Sequence, residues 1–252
     1  MSFLAYLLIF VMGTAIGSFL NVLIVRIPKN ESVAFPASHC VHCKTPLKPW
    51  HNIPLFSWLF LRGRCAFCGK KISVQYPLVE LLGGIIFLAV FLKMGITLPA
   101  AGIAVAFLLL LTLSVIDFYY KMVPDSLNLS ALTLVVISAY SLPMLVDHFV
   151  NALLFAGGFS LLRFYLSYII NKEAMGEADI MIAATMGALL GVDLTLAAIF
   201  LSAVLALPAM LLLRNETEES KQVPFIPFLA LATWIVFIFD TQVHDYIEVL
   251  YG

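Results

Sequence analysis

Two aspartates and four cysteines carry the chemistry that this chain offers. Asp117 and Asp179 each border a long apolar run, the first in Ile116-Asp117-Phe118 with Pro124-Asp125 following, the second in Gly176-Glu177-Ala178-Asp179. A carboxylate held beside hydrocarbon is costly to keep, so two of them at one face of a bilayer point to a site. Hydrolysis by carboxylates needs one ionised group to take a proton from water and one protonated group to donate to a carbonyl, and neighbouring carboxylates divide a proton in this way. The cysteines form two C-x-x-C pairs, Cys40-Val41-His42-Cys43 and Cys65-Ala66-Phe67-Cys68. That spacing is expected of a four-thiolate zinc site, with Cys40, Cys43, Cys65 and Cys68 as ligands. His39, His42 and His51 lie nearby, but four sulfurs already close a tetrahedral shell, so the metal is expected to be structural.

The elements that must position these groups are membrane helices. With 62% hydrophobic and 12% charged residues and a mean hydropathy of +1.03, the 252-residue chain is too apolar for a soluble domain. The expected class is an all-α polytopic membrane protein. A spanning helix takes roughly 20 apolar residues, and eight candidates follow: 3–25, 77–92, 98–116, 127–146, 149–170, 180–190, 194–213 and 223–239. The sixth and seventh are divided because one helix over both would outrun a hydrocarbon core of roughly 30 Å, and Gly191-Val192-Asp193 offers a turn. The first run lacks a preceding basic stretch and a cleavage pattern, so it is expected to be a retained span rather than a secretory signal. Within it, Gly13 and Gly17 form a small-xxx-small pair suited to close helix packing.

Basic residues set the expected orientation. Between the first two spans stand Arg26, Lys29, Lys44, Lys48, Arg62, Arg64, Lys70 and Lys71 against one acid, Glu31. This places residues 26–76, the zinc loop, in the cytoplasm. Lys121, Lys172, Arg214 and Lys221 fall on the same side and Lys93 on the other, so both termini face outward. The organisation is then a first transmembrane helix (1–25), a cytoplasmic zinc loop (26–76) and a seven-helix membrane region (77–252). The basic loop would favour anionic lipid headgroups, and no nucleic-acid partner is expected. Among the other acids, Asp125 is expected to cap the helix after it. Glu80 is expected to complement the dipole of the helix opened by Pro77, and Glu177 to point away from Asp179.

Further stretches add a resemblance. Gly17-Ser18-Phe19-Leu20-Asn21-Val22 with Arg26-Ile27-Pro28, His51-Asn52-Ile53-Pro54-Leu55-Phe56-Ser57-Trp58-Leu59, Arg62-Gly63-Arg64-Cys65 and Tyr76-Pro77-Leu78-Val79-Glu80-Leu81 resemble the type IV prepilin peptidases, membrane aspartic proteases of the GxGD type. The resemblance implies Asp117 and Asp179 as the catalytic pair, in a D-x6-P-D/N region and a GxGD motif. It departs at Ala178, where a second glycine is usual, and at Met181, where a lysine is common. It implies a bacterial inner-membrane enzyme that cleaves the leader from type IV prepilins and type II secretion pseudopilins. It also implies N-methylation of the new terminus with S-adenosylmethionine as donor. No glycine-rich fingerprint locates that cofactor; Asn21, Arg26 and residues of the zinc loop are candidates only through the resemblance. A proton-coupled transporter would carry its acids at mid-membrane on interrupted helices, whereas these stand at helix ends. A non-catalytic scaffold of a pilus or secretion apparatus is the alternative.

Overall fold

Long uninterrupted apolar runs without internal water partners must satisfy their own backbone, and they do so as helices. The computed structural model describes residues 3–173, 175–212 and 224–251, with no strand longer than an isolated bridge among them. The helices are α1 (Phe3–Arg26), α2 (Phe56–Phe60), α3 (Gln75–Met94), α4 (Leu98–Tyr120), α5 (Asp125–Ile137), α6 (Leu142–Ile170), α7 (Glu177–Leu212), α8 (Ile226–Ile238) and α9 (Asp240–Tyr251). Two compact units divide the chain at Ala104 and Val105, within α4.

In the first unit α1 packs along α3. The contact is glycine-lined: a Cβ on Gly13 would stand 2.6 Å from the Gly83 carbonyl oxygen, and one on Gly17 would stand 2.8 Å from the Glu80 Cα. The small-xxx-small pair therefore does what its spacing predicts, bringing two backbones together. In the second unit Ala106, Val135, Ala152, Ala184 and Ala188 form one buried cluster contributed by α4, α5, α6 and α7. Here too small side chains allow close approach.

The helix count differs from the expected eight. Among the described residues five helices are long and apolar enough to cross a bilayer, or six if α8 and α9, which meet at an 85° bend, make one broken span. The fourth expected span, 127–146, is not one helix: α5 stops after 13 residues and the chain re-enters helix at Leu142. Ser141 causes the restart, its extended backbone and hydroxyl accepting the Met144 N–H while Pro143 supplies a helix-compatible φ. Asp147 and His148, which fall between two of the expected spans, lie inside α6, with buried His148 Nδ1 in a 3.1 Å hydrogen bond with the Val135 carbonyl. The turn expected at Gly191 is present, and it divides α7 into two helical stretches. Gly191 takes φ 75° and ψ −173°, and the Thr195 hydroxyl donates across it to the Met186 carbonyl at 3.1 Å. Arg214 and Lys221, used for orientation, and Leu213 and Val223, at the edges of two expected spans, lie outside the described residues.

Candidate active site and metal centre

Asp117 lies in the last turn of α4, where its own helix dipole disfavours a negative charge. Its carboxylate is turned to a better partner: Oδ2 accepts the backbone N–H of Ile226 at 3.3 Å, at the amino end of α8. That end has unsatisfied N–H groups and positive dipole character. Asp117 is buried, with 8% of its surface exposed.

Asp179 is the third residue of α7, and its Oδ2 accepts the Gly176 N–H at 3.2 Å. This is the reach-back half of a capping box, in which the third helical residue satisfies the cap's own N–H. Each contact by itself is that of a helix cap. What sets the pair apart is that two capped carboxylates, from α4 and α7, come near enough for Asp117 to feel the charge of Asp179.

The other acids separate from the pair. Asp125 is exposed and is the first residue of α5, not its cap: Pro124 takes the cap position, and no side chain caps that end. Pro124 is extended (ψ 118°) and its carbonyl already accepts the Asn128 N–H at 3.2 Å, which puts the cap one position earlier than expected. Glu177 pairs with Arg163 at 3.0 Å, which also stands 3.7 Å from Glu173. Arg163 was not singled out from the sequence, although a lone cation in the apolar run of α6 was a signal that it meets an acid. Asn128 was also missed. It is fully buried, donates from Nδ2 to the Ala178 carbonyl at 3.1 Å, and so ties α5 to the residue before Asp179.

The four cysteines converge. Their Sγ atoms all lie within 4.8 Å of one another, and Cys40 and Cys68 are 3.9 Å apart. A tetrahedron with metal–sulfur bonds of ~2.3 Å has edges of ~3.8 Å, so the donor set fits zinc. The two knuckles have matching backbones. In one, Cys40 N–H donates to Thr45 O, His42 N–H points to Cys40 Sγ at 3.4 Å, and Lys44 takes φ 59°. In the other, Cys65 N–H donates to Lys70 O, Phe67 N–H points to Cys65 Sγ at 3.5 Å, and Gly69 takes φ 68°. Hydrogen bonds with the side chain and backbone of Thr45 hold the Cys43 thiol down to about 6. Those from the backbone of Cys68 and Phe67 lower Cys65. The Lys70 backbone favours the Cys68 thiolate, but desolvation and the other three thiols outweigh it and push Cys68 up to about 11. A bound dication would favour the thiolate form of all four.

Residues 11–94 match the Bacterial Peptidase A24 N-terminal domain, and residues 104–211 match the Type IV leader peptidase family. All four cysteines fall in the first match and both aspartates in the second. A prepilin leader peptidase/N-methyltransferase of Stutzerimonas stutzeri is 33% identical over 262 residues, covering 92% of this chain and 90% of the relative. The chain belongs to the type IV leader peptidase family. A relative of the same name from Xanthomonas campestris pv. campestris is 34% identical over 93% of the chain and 91% of its own length. Another from Myxococcus xanthus is 38% identical over 72% of the chain, but the match spans 55% of that longer protein. No solved structure matches the chain.

Ala178 stands where the type IV leader peptidase motif usually has glycine. It lies within α7 and is not among the positive-φ residues, so a glycine's conformational freedom is not needed there. Asn21 and Arg26 do not fit a site for S-adenosylmethionine. Asn21 is buried and bonded to Gly17 O and Tyr76 O, with Gln75 Nε2 at 3.5 Å from its Oδ1. Arg26 is buried and donates to the carbonyls of Ser32 at 2.9 Å and Pro36 at 2.7 Å. Asn21 thus ties α1 to the start of α3, and Arg26 ties the loop to α1. Glu80 also departs from expectation. It is the sixth residue of α3, too far along to serve its helix end, and instead accepts the Leu55 N–H at 2.7 Å and a hydrogen bond from Ser18.

Proposed function

We propose that this chain is a membrane aspartic endopeptidase that removes the leader from type IV prepilins and related pseudopilins at the cytoplasmic face of the inner membrane. The observation that carries the reading is that Asp117 and Asp179, each with one oxygen fixed by a backbone N–H and each at a helix end, lie within electrostatic range of one another. In the reaction the ionised carboxylate takes a proton from water, the resulting hydroxide attacks the scissile carbonyl, and the protonated partner donates to the carbonyl oxygen. Collapse of the tetrahedral intermediate breaks the C–N bond: the first carboxylate returns its proton to the departing amine, and the second takes one back from a hydroxyl of the diol. The substrate that suits this position has a short leader in the cytoplasm and an apolar helix in the bilayer.

Residues 26–76 are the cytoplasmic zinc loop in this reading, both termini lie outside, and 77–252 form the membrane peptidase region. Zinc on Cys40, Cys43, Cys65 and Cys68 would cross-link a segment too short to bury a core of its own. Methylation of the new amino terminus is the second activity, with S-adenosylmethionine as donor; the relatives' names support it. The test is incubation of the purified protein with a prepilin and mass measurement of the product. Asp117→Asn and Asp179→Asn each abolish cleavage while the protein still accumulates, and Asp125→Asn retains it, because exposed Asp125 only opens α5. Intact processing by both dyad variants would leave the scaffold alternative; loss of processing in Asp125→Asn equal to theirs would reassign the dyad.

A further inference from the structure

The loop between α1 and α3 turns an apolar face outward. Trp50, Ile53, Phe56, Leu59 and Phe60 are exposed, Phe60 at 84%. Residues 56, 59 and 60 share one side of α2, while Trp58 turns the other way, its ring against Gly63 and its Nε1 donating to the Ile72 carbonyl at 3.4 Å. Such a patch outside the spans needs a cover.

Its depth comes from Glu80. This buried carboxylate binds the Leu55 N–H directly before α2, and Leu55 takes an uncommon φ of 63° to present it. Glu80 stands five residues inside α3 and Ser18 eight residues inside α1. At ~1.5 Å per residue the clamp lies roughly 8–12 Å in from the ends of those helices, at or below the headgroup layer of a bilayer. The start of α2 is thus pinned at membrane depth, not held out in water. The flanks are cationic: Lys44, Lys48, Arg62 and Arg64 are exposed, and Lys48 sits 5.3 Å from the centroid of the Trp50 ring. Aromatic side chains beside Lys and Arg are the composition of an interfacial anchor on anionic lipid.

We propose that residues 50–60 are an interfacial anchor for the cytoplasmic loop. Phe56, Leu59 and Phe60 enter the acyl–headgroup boundary of an anionic leaflet, the flanking cations lie on the phosphates, and Glu80 sets the depth. The anchor holds the zinc knuckles against the membrane. This inference rests on α1 and α3 spanning a bilayer, not on the peptidase reading.

The test is Phe60→Trp in the full-length, zinc-loaded protein in nanodiscs of phosphatidylglycerol and phosphatidylcholine, with wild-type emission subtracted. The added tryptophan is expected to be quenched about twofold or more by lipids brominated near the glycerol end of the acyl chain, and little by aqueous iodide. A Phe67→Trp control on the second knuckle is expected to show stronger iodide quenching. Adding Glu80→Ala should shift Phe60→Trp towards iodide, whereas Glu80→Gln, which still offers an oxygen to Leu55, should not. Equal zinc content confirms that each variant keeps its loop. Iodide access at position 60 matching that at 67 would overturn the anchor. So would protection arising only on addition of a prepilin, which would assign the patch to the substrate's apolar helix. An unchanged depth in zinc-loaded Glu80→Ala would overturn the clamp.

Discussion

Gly17→Ala isolates the helix contact on which the first unit depends. A methyl there would stand 2.8 Å from the Glu80 Cα and 2.9 Å from the Val79 carbonyl oxygen, both backbone atoms that no rotamer change can move. Comfortable carbon contacts begin at ~3.5 Å, so α1 and α3 must part by about 0.7 Å. Overpacking of this kind costs ~1–3 kcal/mol. Helix propensity opposes it, since replacing a helical glycine by alanine gains ~1 kcal/mol. Gly157→Ala is the matched control: it also lies within a helix, and its added methyl meets nothing within 4 Å. Because both variants gain the same propensity, their difference reads the overpacking alone, and Gly17→Ala should be the less stable by ~1–3 kcal/mol. Loss of helical circular dichroism in mixed micelles on titration with denaturing detergent measures it. Gly17→Ala as stable as Gly157→Ala would refute the close approach of the two backbones.

Cys40→Ser should reduce zinc to well below one per chain and open the loop to protease, because a lost ligand couples to folding; metal analysis and limited proteolysis report it. Acid should do the same to the wild type. Hydrogen bonds hold the metal-free Cys43 thiol down to about 6 and a bound dication favours its thiolate further, so zinc retention should decline only as pH falls below that value. Ala178→Gly should leave cleavage within about threefold of wild type, since a helical position gains nothing from glycine and loses only ~1 kcal/mol of propensity; a large gain in rate would contradict the helical placement. Asp179→Asn, folded and zinc-loaded, should still methylate a supplied mature pilin. The acceptor there is a free neutral amine with an ordinary pKa of roughly 8 and needs no carboxylate dyad. Failure under conditions where wild type succeeds would join the two activities at one site.

What the sequence determined is what composition and local spacing determine. Apolar runs dictated membrane helices because an unpaired backbone cannot be left in hydrocarbon. Paired C-x-x-C knuckles dictated a four-sulfur cluster, because each knuckle is a local turn whose own N–H groups aim at its sulfurs. The glycine pair on α1 likewise announced a close neighbour. Tertiary structure decided everything that depended on partners distant in the chain. Asp117 finds its donor 109 residues away, at Ile226. Glu80 serves Leu55 and Ser18 rather than its own helix end. Asn128 reaches a carbonyl 50 residues on, and Arg163 turns an apparent flaw in an apolar run into a partner for Glu177. The eight expected spans failed at α5 for the same reason. Hydropathy measures how much apolar surface a segment has but not where a buried His148 can bond back to Val135, and that contact is made only when two helices are already packed.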